Sequence, residues 1–258
     1  MKFIFKKKYF YIFIIILLIF IFIWYCYFYF QIENKDFELE IKNKLQQKKI
    51  DEIKKLNEKI KKEKLFLNSI DLETDSSLNK FVSAKVPFDD NTYIPENLVN
   101  ISGKYIIDWK WWWQKLRKEA LQALEKMWEQ YYNETWKKIV VVSAYRSYLY
   151  QKGIKDRWCP DNLCAKAGYS EHQSGLAVDL WAASSNAAWQ VEPFLSRYKW
   201  LKENAYKYGF HNTYQKWLEV DTYEIEPWHW RYLGESLAKY LLDNDLTIAE
   251  FYKEMEQH

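Results

Sequence analysis

Residues 9–30 of this 258-residue chain carry no charge, no glycine, no proline and no serine, and that run limits what the first part of the chain can become. As a helix rising about 1.5 Å per residue, it is long enough to cross a hydrocarbon core of roughly 30 Å. Lys2, Lys6, Lys7 and Lys8 precede it, whereas Glu33 and Asp36 follow with only Lys35 between them. The basic excess predicts a cytoplasmic N-terminus, with everything beyond residue 31 on the far side of the membrane. A cleaved signal peptide is the competing reading. Against it, the run is longer than a usual signal core and ends in Trp24-Tyr-Cys-Tyr-Phe-Tyr rather than in small residues. Bulky Trp24 and Tyr25 ahead of Cys26 also argue against lipoprotein processing. The expectation is an uncleaved single-pass anchor in the lipid bilayer, its aromatic end at the outer interface.

Beyond the anchor the character of the chain changes twice. Residues 33–68 are dense in Lys and Glu and lack Gly and Pro. Their apolar positions are sparse: Phe37, Ile41 and Leu45 in one register, Ile53, Leu56 and Ile60 in another. That is one narrow helical stripe, too interrupted for a long coiled coil. A solvated helical stalk is expected, with a short dimerising coil as the other reading. Residues 68–77 turn polar, as a hinge would. The chain therefore divides into residues 1–31 (basic N-terminus and anchor), 32–79 (stalk and hinge) and 80–258 (a domain long enough for its own core). Within that domain, residues 109–133 have helical periodicity, Ile139–Ser143 reads as a buried strand, residues 176–180 as a second and His229–Tyr232 as a third. Residues 194–208 and Glu235–Asp243 read as helices. Helices alternating with short strands predict an α+β fold. The 38 basic and 35 acidic residues nearly balance, at a formal net charge of +3, so electrostatics give no reason to expect a nucleic-acid partner.

Chemistry concentrates in two segments. Residues 170–179 read Ser-Glu-His-Gln-Ser-Gly-Leu-Ala-Val-Asp, and residues 226–229 read Glu-Pro-Trp-His. Of the chain's four histidines (His172, His211, His229, His258), two lie here. His172, Asp179 and His229 would make two imidazoles and one carboxylate, the donor set that leaves the fourth tetrahedral position of a Zn2+ ion open for water. Glu226 would be the general base beside that water. Gly175 permits a tight reversal between His172 and the strand carrying Asp179. Each residue alone is ordinary, and the pattern is not the helical His-Glu-x-x-His signature. His211, after Gly209-Phe210, reads as a surface or partly packed turn residue, and the terminal His258 as no ligand.

These segments, together with Ser143-Ala-Tyr-Arg-Ser-Tyr and Gln151 before them and Trp230-Arg-Tyr after them, resemble the VanY-type D-alanyl-D-alanine carboxypeptidases. That group of zinc peptidases also includes D-Ala-D-Ala dipeptidases and L,D-carboxypeptidases. The resemblance covers roughly residues 85–240. It implies a small antiparallel sheet flanked by helices, zinc on His172, Asp179 and His229, and Glu226 as the catalytic base. It further implies that Arg146 stabilises the oxyanion and orients substrate, and that Gln151 and Ser170 contact the substrate's C-terminal residue. The implied substrate is the peptide stem of peptidoglycan, and the leading reading is a D,D-carboxypeptidase. An L,D-carboxypeptidase, a cross-link endopeptidase, a non-catalytic wall-binding tether and a dimerising scaffold are the alternatives. Ala144 and Ser174 stand where the family more often has Gly and Thr; neither is a ligand.

Three features are left outside the motifs. Cys159 and Cys164, five positions apart, are either a disulfide, as an extracytoplasmic location would allow, or two free thiols. The tryptophans of residues 109–113 read as core rather than as an exposed platform. The stretch Leu180-Trp-Ala-Ala-Ser-Ser-Asn and the cysteine loop flank the presumed cleft, where they would bear on substrate preference.

Overall fold

The computed structural model describes residues 2–108, 110, 113–157, 159–181, 191–216 and 218–257. It divides into two compact units, Met1–Ser69 and Ile70–His258. The first is one helix, α1 (Lys2–Leu67). With no Gly or Pro in the whole stretch, nothing interrupts the hydrogen-bond ladder, and the anchor and stalk segments run into each other without a break. From Ile15 to Phe30 the large apolar side chains are exposed, as are the stripe residues Phe37, Ile41, Leu45, Ile53, Leu56 and Ile60. Such a surface is stable in lipid over the first part and unusual in water.

The second unit is α+β. Among the described residues, five strands form a mixed sheet in the order β2 (Ile106–Asp108), β4 (Ile139–Ser143), β5 (Ala177–Trp181), β7 (His229–Tyr232), β6 (Phe210–Asn212). The pairings are antiparallel except for β2 with β4, which is parallel. β1 (Leu98–Asn100) and β3 (Lys115–Arg117) form a separate antiparallel pair. Helix α2 (Lys118–Thr135) lays Leu121, Leu124, Met127, Trp128 and Tyr131 onto the sheet, in one core with Ile139, Val141, Val178, Leu180 and Trp230. That spacing of three and four is a single apolar face, which is why this stretch is helical. The remaining helices are α3 (Tyr148–Lys155), α4 (Val191–Asn204), α5 (Leu218–Asp221), α6 (Glu235–Asp243) and α7 (Ile248–Met255).

Two segments differ from the sequence reading. The helix expected over residues 109–133 starts nine residues later, because residues 115–117 pair with β1 instead, Leu98 opposite Arg117. Trp113, expected in the core, is 84% exposed; Trp109, Trp111 and Trp112 lie outside the described residues, as do His258 and residues 182–186 of the Trp-Ala-Ala stretch. The polar stretch read as a hinge joins the second unit from Ile70 onward. Leu72 is buried, Lys80 is buried against Asp75 and Asp89 (3.4 Å each), and Asn79 Nδ2 donates to Leu233 O at 2.8 Å.

Candidate metal centre and catalytic cleft

The sheet register assembles the centre. In the β5–β7 ladder Asp179 stands directly opposite His229, and on its other side Asp179 faces Ser143 of β4. His172 arrives from a 3-10 turn, Glu171–Ser174, that leads into β5. The reversal between turn and strand falls on Gly175 at φ +68°, a backbone conformation that strains other residues, and a Cβ there would also sit 2.7 Å from Leu98 Cδ2 and push that side chain aside. The ligand-type atoms of His172, Asp179 and His229 all lie within 4.8 Å of one another, and all three residues are buried. Glu226 is 4.0 Å from His229 Nδ1. Its backbone is fixed on three sides: its N–H donates to Tyr214 O, and its C=O accepts from His229 N and Asn212 Nδ2.

The donor atoms present lone pairs to a common point, which is the test of whether a cation fits. His172 Nδ1 lies 2.7 Å from Ala144 O, so its proton is on that nitrogen. Nε2 is then a bare acceptor, buried without a hydrogen bond and facing Asp179 Oδ1 at 3.3 Å. Two acceptors at that distance repel unless a cation lies between them. His229 Nε2 is 2.8 Å from Glu171 Oε2, which fixes that proton and turns Nδ1 toward Asp179 Oδ1 at 3.2 Å. Two imidazole nitrogens and a carboxylate in a closed group suit Zn2+. Without the ion the neighbouring charges set the protonation instead, and a cation would have to displace a proton from His229 Nδ1. Burial lowers His172 to about 4, helped by Arg146. Burial also opposes charge on His229, but the carboxylates of Asp179 and Glu171 outweigh it and hold its pKa up to about 9. Burial would raise Asp179, yet His172, His229 and Arg146 keep it well below the ordinary carboxylate range. Glu226 moves the other way, pushed up to about 7 by burial and by the nearby Asp179 charge, with His229 and Arg146 opposing. A carboxylate poised near neutrality beside the ligand group is suited to taking up and releasing a proton.

Arg146 enters from the other side. Its Nε donates to Ser143 Oγ (3.1 Å), Nη1 to Gln151 Oε1 (2.9 Å) and Nη2 to Asp179 Oδ2 (3.1 Å). With five N–H groups, the guanidinium still has one on each Nη to offer. Gln151 is fully buried, its amide N donating to Ala165 O at 2.7 Å, so it holds Arg146 rather than opening onto the cleft. Ser170, also buried, precedes the 3-10 turn without a side-chain bond to it and lines a cleft of about 400 Å³ together with Arg146, His172, Asp179, Glu226 and His229.

Two functional side chains were not anticipated. Glu171 is 2% exposed and serves His229 Nε2, Thr213 Oγ1 (2.8 Å) and Arg231 Nη1 (3.5 Å) at once. Burial would raise its pKa, but its bond to His229 and the Arg231 charge keep it ionised. Arg231 is itself fully buried and donates to Leu78 O and Lys80 O. His211, expected near the surface, is instead buried in β6; burial lowers it to about 4. Cys159 and Cys164 are joined by a disulfide.

A family model described as VanY, D-alanyl-D-alanine carboxypeptidase, matches residues 113–235. "Putative carboxypeptidase YodJ" of Bacillus subtilis (strain 168) is 38% identical over 175 residues, which are 64% of this chain and 63% of that protein. The match thus spans just under two thirds of that relative. Among solved structures, the LdcB LD-carboxypeptidase is 32% identical with a TM-score of 0.60, over 69% of this chain and 87% of its own. The vancomycin resistance D,D-pentapeptidase VanY from the VanB-type resistance cassette, in complex with Zn(II), shares the fold at 24% identity and a TM-score of 0.54, over 69% of this chain and 99% of its own.

Proposed function

The chain belongs to the VanY-type zinc carboxypeptidase family, and from that premise we propose that it is a membrane-anchored, zinc-dependent D,D-carboxypeptidase that removes the terminal D-alanine from peptidoglycan stem peptides. One observation carries this reading: the bare Nε2 of His172, the Asp179 carboxylate and Nδ1 of His229 converge beside Glu226 at the floor of an open cleft.

His172, Asp179 and His229 would hold the zinc, which when bound polarises the scissile carbonyl and acidifies the attacking water. Glu226 accepts the proton of that water and returns it to the departing amine. Burial in the cleft raises its pKa above that of an ordinary carboxylate, which favours both transfers. The remaining N–H groups of Arg146 face the negative charge that develops on the carbonyl oxygen, and the three bonds on its other N–H groups fix its direction beforehand. Glu171 keeps His229 in the tautomer whose Nδ1 points inward. Ser170 borders the space for the terminal residue.

The long apolar helix supports the anchor, with the catalytic unit on the outer face where stem peptides lie. Membrane fractionation of the full chain against one lacking residues 1–31 tests the anchor. A second reading, an L,D-carboxypeptidase acting on tetrapeptide stems, is favoured by the likeness to LdcB at 32% identity. The same ligands and base serve either reaction. Feeding the protein penta- and tetrapeptide stems side by side, with and without chelator, separates them.

A further inference from the structure

The loop between Cys159 and Cys164 sits at the rim of the cleft and is tied to both of its catalytic sides. Lys155 Nζ, on α3, donates to Cys159 O and Cys164 O at 3.0 Å each, drawing the two ends of the loop onto one ammonium group. Leu163 N and Cys164 N both donate to Pro160 O, which tightens the turn inside the disulfide. Toward one side, Ala165 O accepts from Gln151, and Gln151 in turn accepts from Arg146, which reaches Asp179. Toward the other, Asn162 and Glu224 exchange two bonds: Asn162 Nδ2 to Glu224 Oε1 and Glu224 N to Asn162 O, both 2.9 Å. Glu224 is two residues from Glu226. Leu163, Cys164 and Ala165 line the cleft itself, in company with Tyr223.

A continuous path therefore runs from Arg146 through Gln151 and the loop to the segment that carries Glu226. We infer that the disulfide-closed loop 159–165 is a specificity-determining wall, a covalent brace that fixes the space between Arg146 and Glu226 in which the substrate's terminal residue sits. The noncovalent ties alone are weak holders. Asp161, the loop's ionic partner for Lys155 at 2.6 Å, is 85% exposed, and such pairs are screened by water. The disulfide is what restricts the loop to one conformation, by removing open arrangements from those it can visit. A bond of that kind persists outside the cytoplasm, which is where the proposed stem-peptide substrate lies. The inference rests on the proposed carboxypeptidase reading and adds to it which element reads the terminal residue.

The test compares the full-length, detergent-solubilised wild type with Cys159→Ser/Cys164→Ser and with Asn162→Ala, which removes the side-chain half of the tie to Glu224 and leaves its backbone bond and the disulfide intact. Zinc content, KM, kcat and the ratio of pentapeptide to tetrapeptide cleavage are measured for each. The expected result is unchanged zinc content, a KM raised about tenfold or more in the double variant, a smaller change in kcat and an altered peptide ratio. Asn162→Ala should shift KM the same way by less, and it still decides the matter if the double variant does not fold. Wild-type KM and wild-type peptide ratio in the variants would overturn the role of the loop while leaving the carboxypeptidase standing. A wild-type chain that cleaves neither peptide would overturn the functional reading, and the loop's role with it.

Discussion

Replacing Glu171 by leucine removes a buried carboxylate on which three groups depend: His229 Nε2 at 2.8 Å, Thr213 Oγ1 at 2.8 Å and Arg231 Nη1 at 3.5 Å. A hydrogen bond to a charged group contributes about 1.5–3 kcal/mol. Stripping the counter-ion from a buried guanidinium costs about 3–5 kcal/mol. These overlap because they share one side chain, and Arg231 keeps its bonds to Leu78 O and Lys80 O. The net loss for Glu171→Leu is then about 4 kcal/mol, a large part of the 5–15 kcal/mol available to a domain. Glu171→Gln keeps the shape and an amide oxygen for Nε2–H but loses the charge, and should cost about half as much. The effect on metal is separate. Once released, the His229 ring no longer presents Nδ1 inward, and losing such an outer partner lowers metal affinity about 10–100-fold. Urea unfolding of the metal-free protein reads the first quantity, and competition for zinc against a chromophoric chelator reads the second. If both variants hold zinc within about threefold of wild type, Glu171 does not orient His229. If they do so while still losing stability, its role is confined to the pair with Arg231.

Glu226→Gln should retain wild-type zinc content and lose about 10²–10⁴ in turnover, measured by peptide hydrolysis and metal analysis; full activity would remove Glu226 as the base. Burial lifts Glu226 to about 7 in the metal-free cleft, and a bound dication lowers that value, so kcat/KM should fall as pH drops through a pKa at or below about 7. His211 is held near 4 by burial, against 6.5 for an ordinary imidazole. The unfolded chain therefore binds its proton first on acidification. The stability His211 provides is complete above pH 6.5 and drains away as pH falls toward 4, by about 3 kcal/mol. His211→Gln should flatten that part of the stability profile in denaturant titrations. The full chain should stay with the membrane fraction through alkaline carbonate, whereas a chain lacking residues 1–31 should be released; extraction of the full chain would remove the anchor.

The sequence was most legible where one residue type can do only one thing. An uncharged run of 22 residues forces an apolar helix, and β-branched Ile139–Ser143 makes a buried strand. His172, Asp179 and His229 are brought together as a group because their spacing fits a turn, a strand and its neighbour. Other features depended on partners far along the chain. Residues 115–117 look like part of a helix until β1 is available to pair with them. Glu171 beside His172 has no distinguishing pattern in the sequence, and only the fold, which brings Arg231 and His229 of β7 against it, makes it a buried partner of both. One signal was present: a metal-ligating imidazole needs a partner for its second nitrogen, and Glu171 adjoins the ligand segment. His211 was misplaced because its three-residue strand is too short to show a period, while the neighbouring strand and α6 bury it.

The central claim is the zinc-dependent removal of one terminal residue from a stem peptide. The measurement that tests it most directly incubates the detergent-solubilised full chain and zinc with synthetic penta- and tetrapeptide stems, and follows the products by mass spectrometry. Loss of a single D-alanine from the pentapeptide, abolished by chelator and restored by zinc, is the expected result. Cleavage of the tetrapeptide alone would transfer the assignment to the L,D reaction. No cleavage of either peptide by zinc-loaded protein would contradict the account.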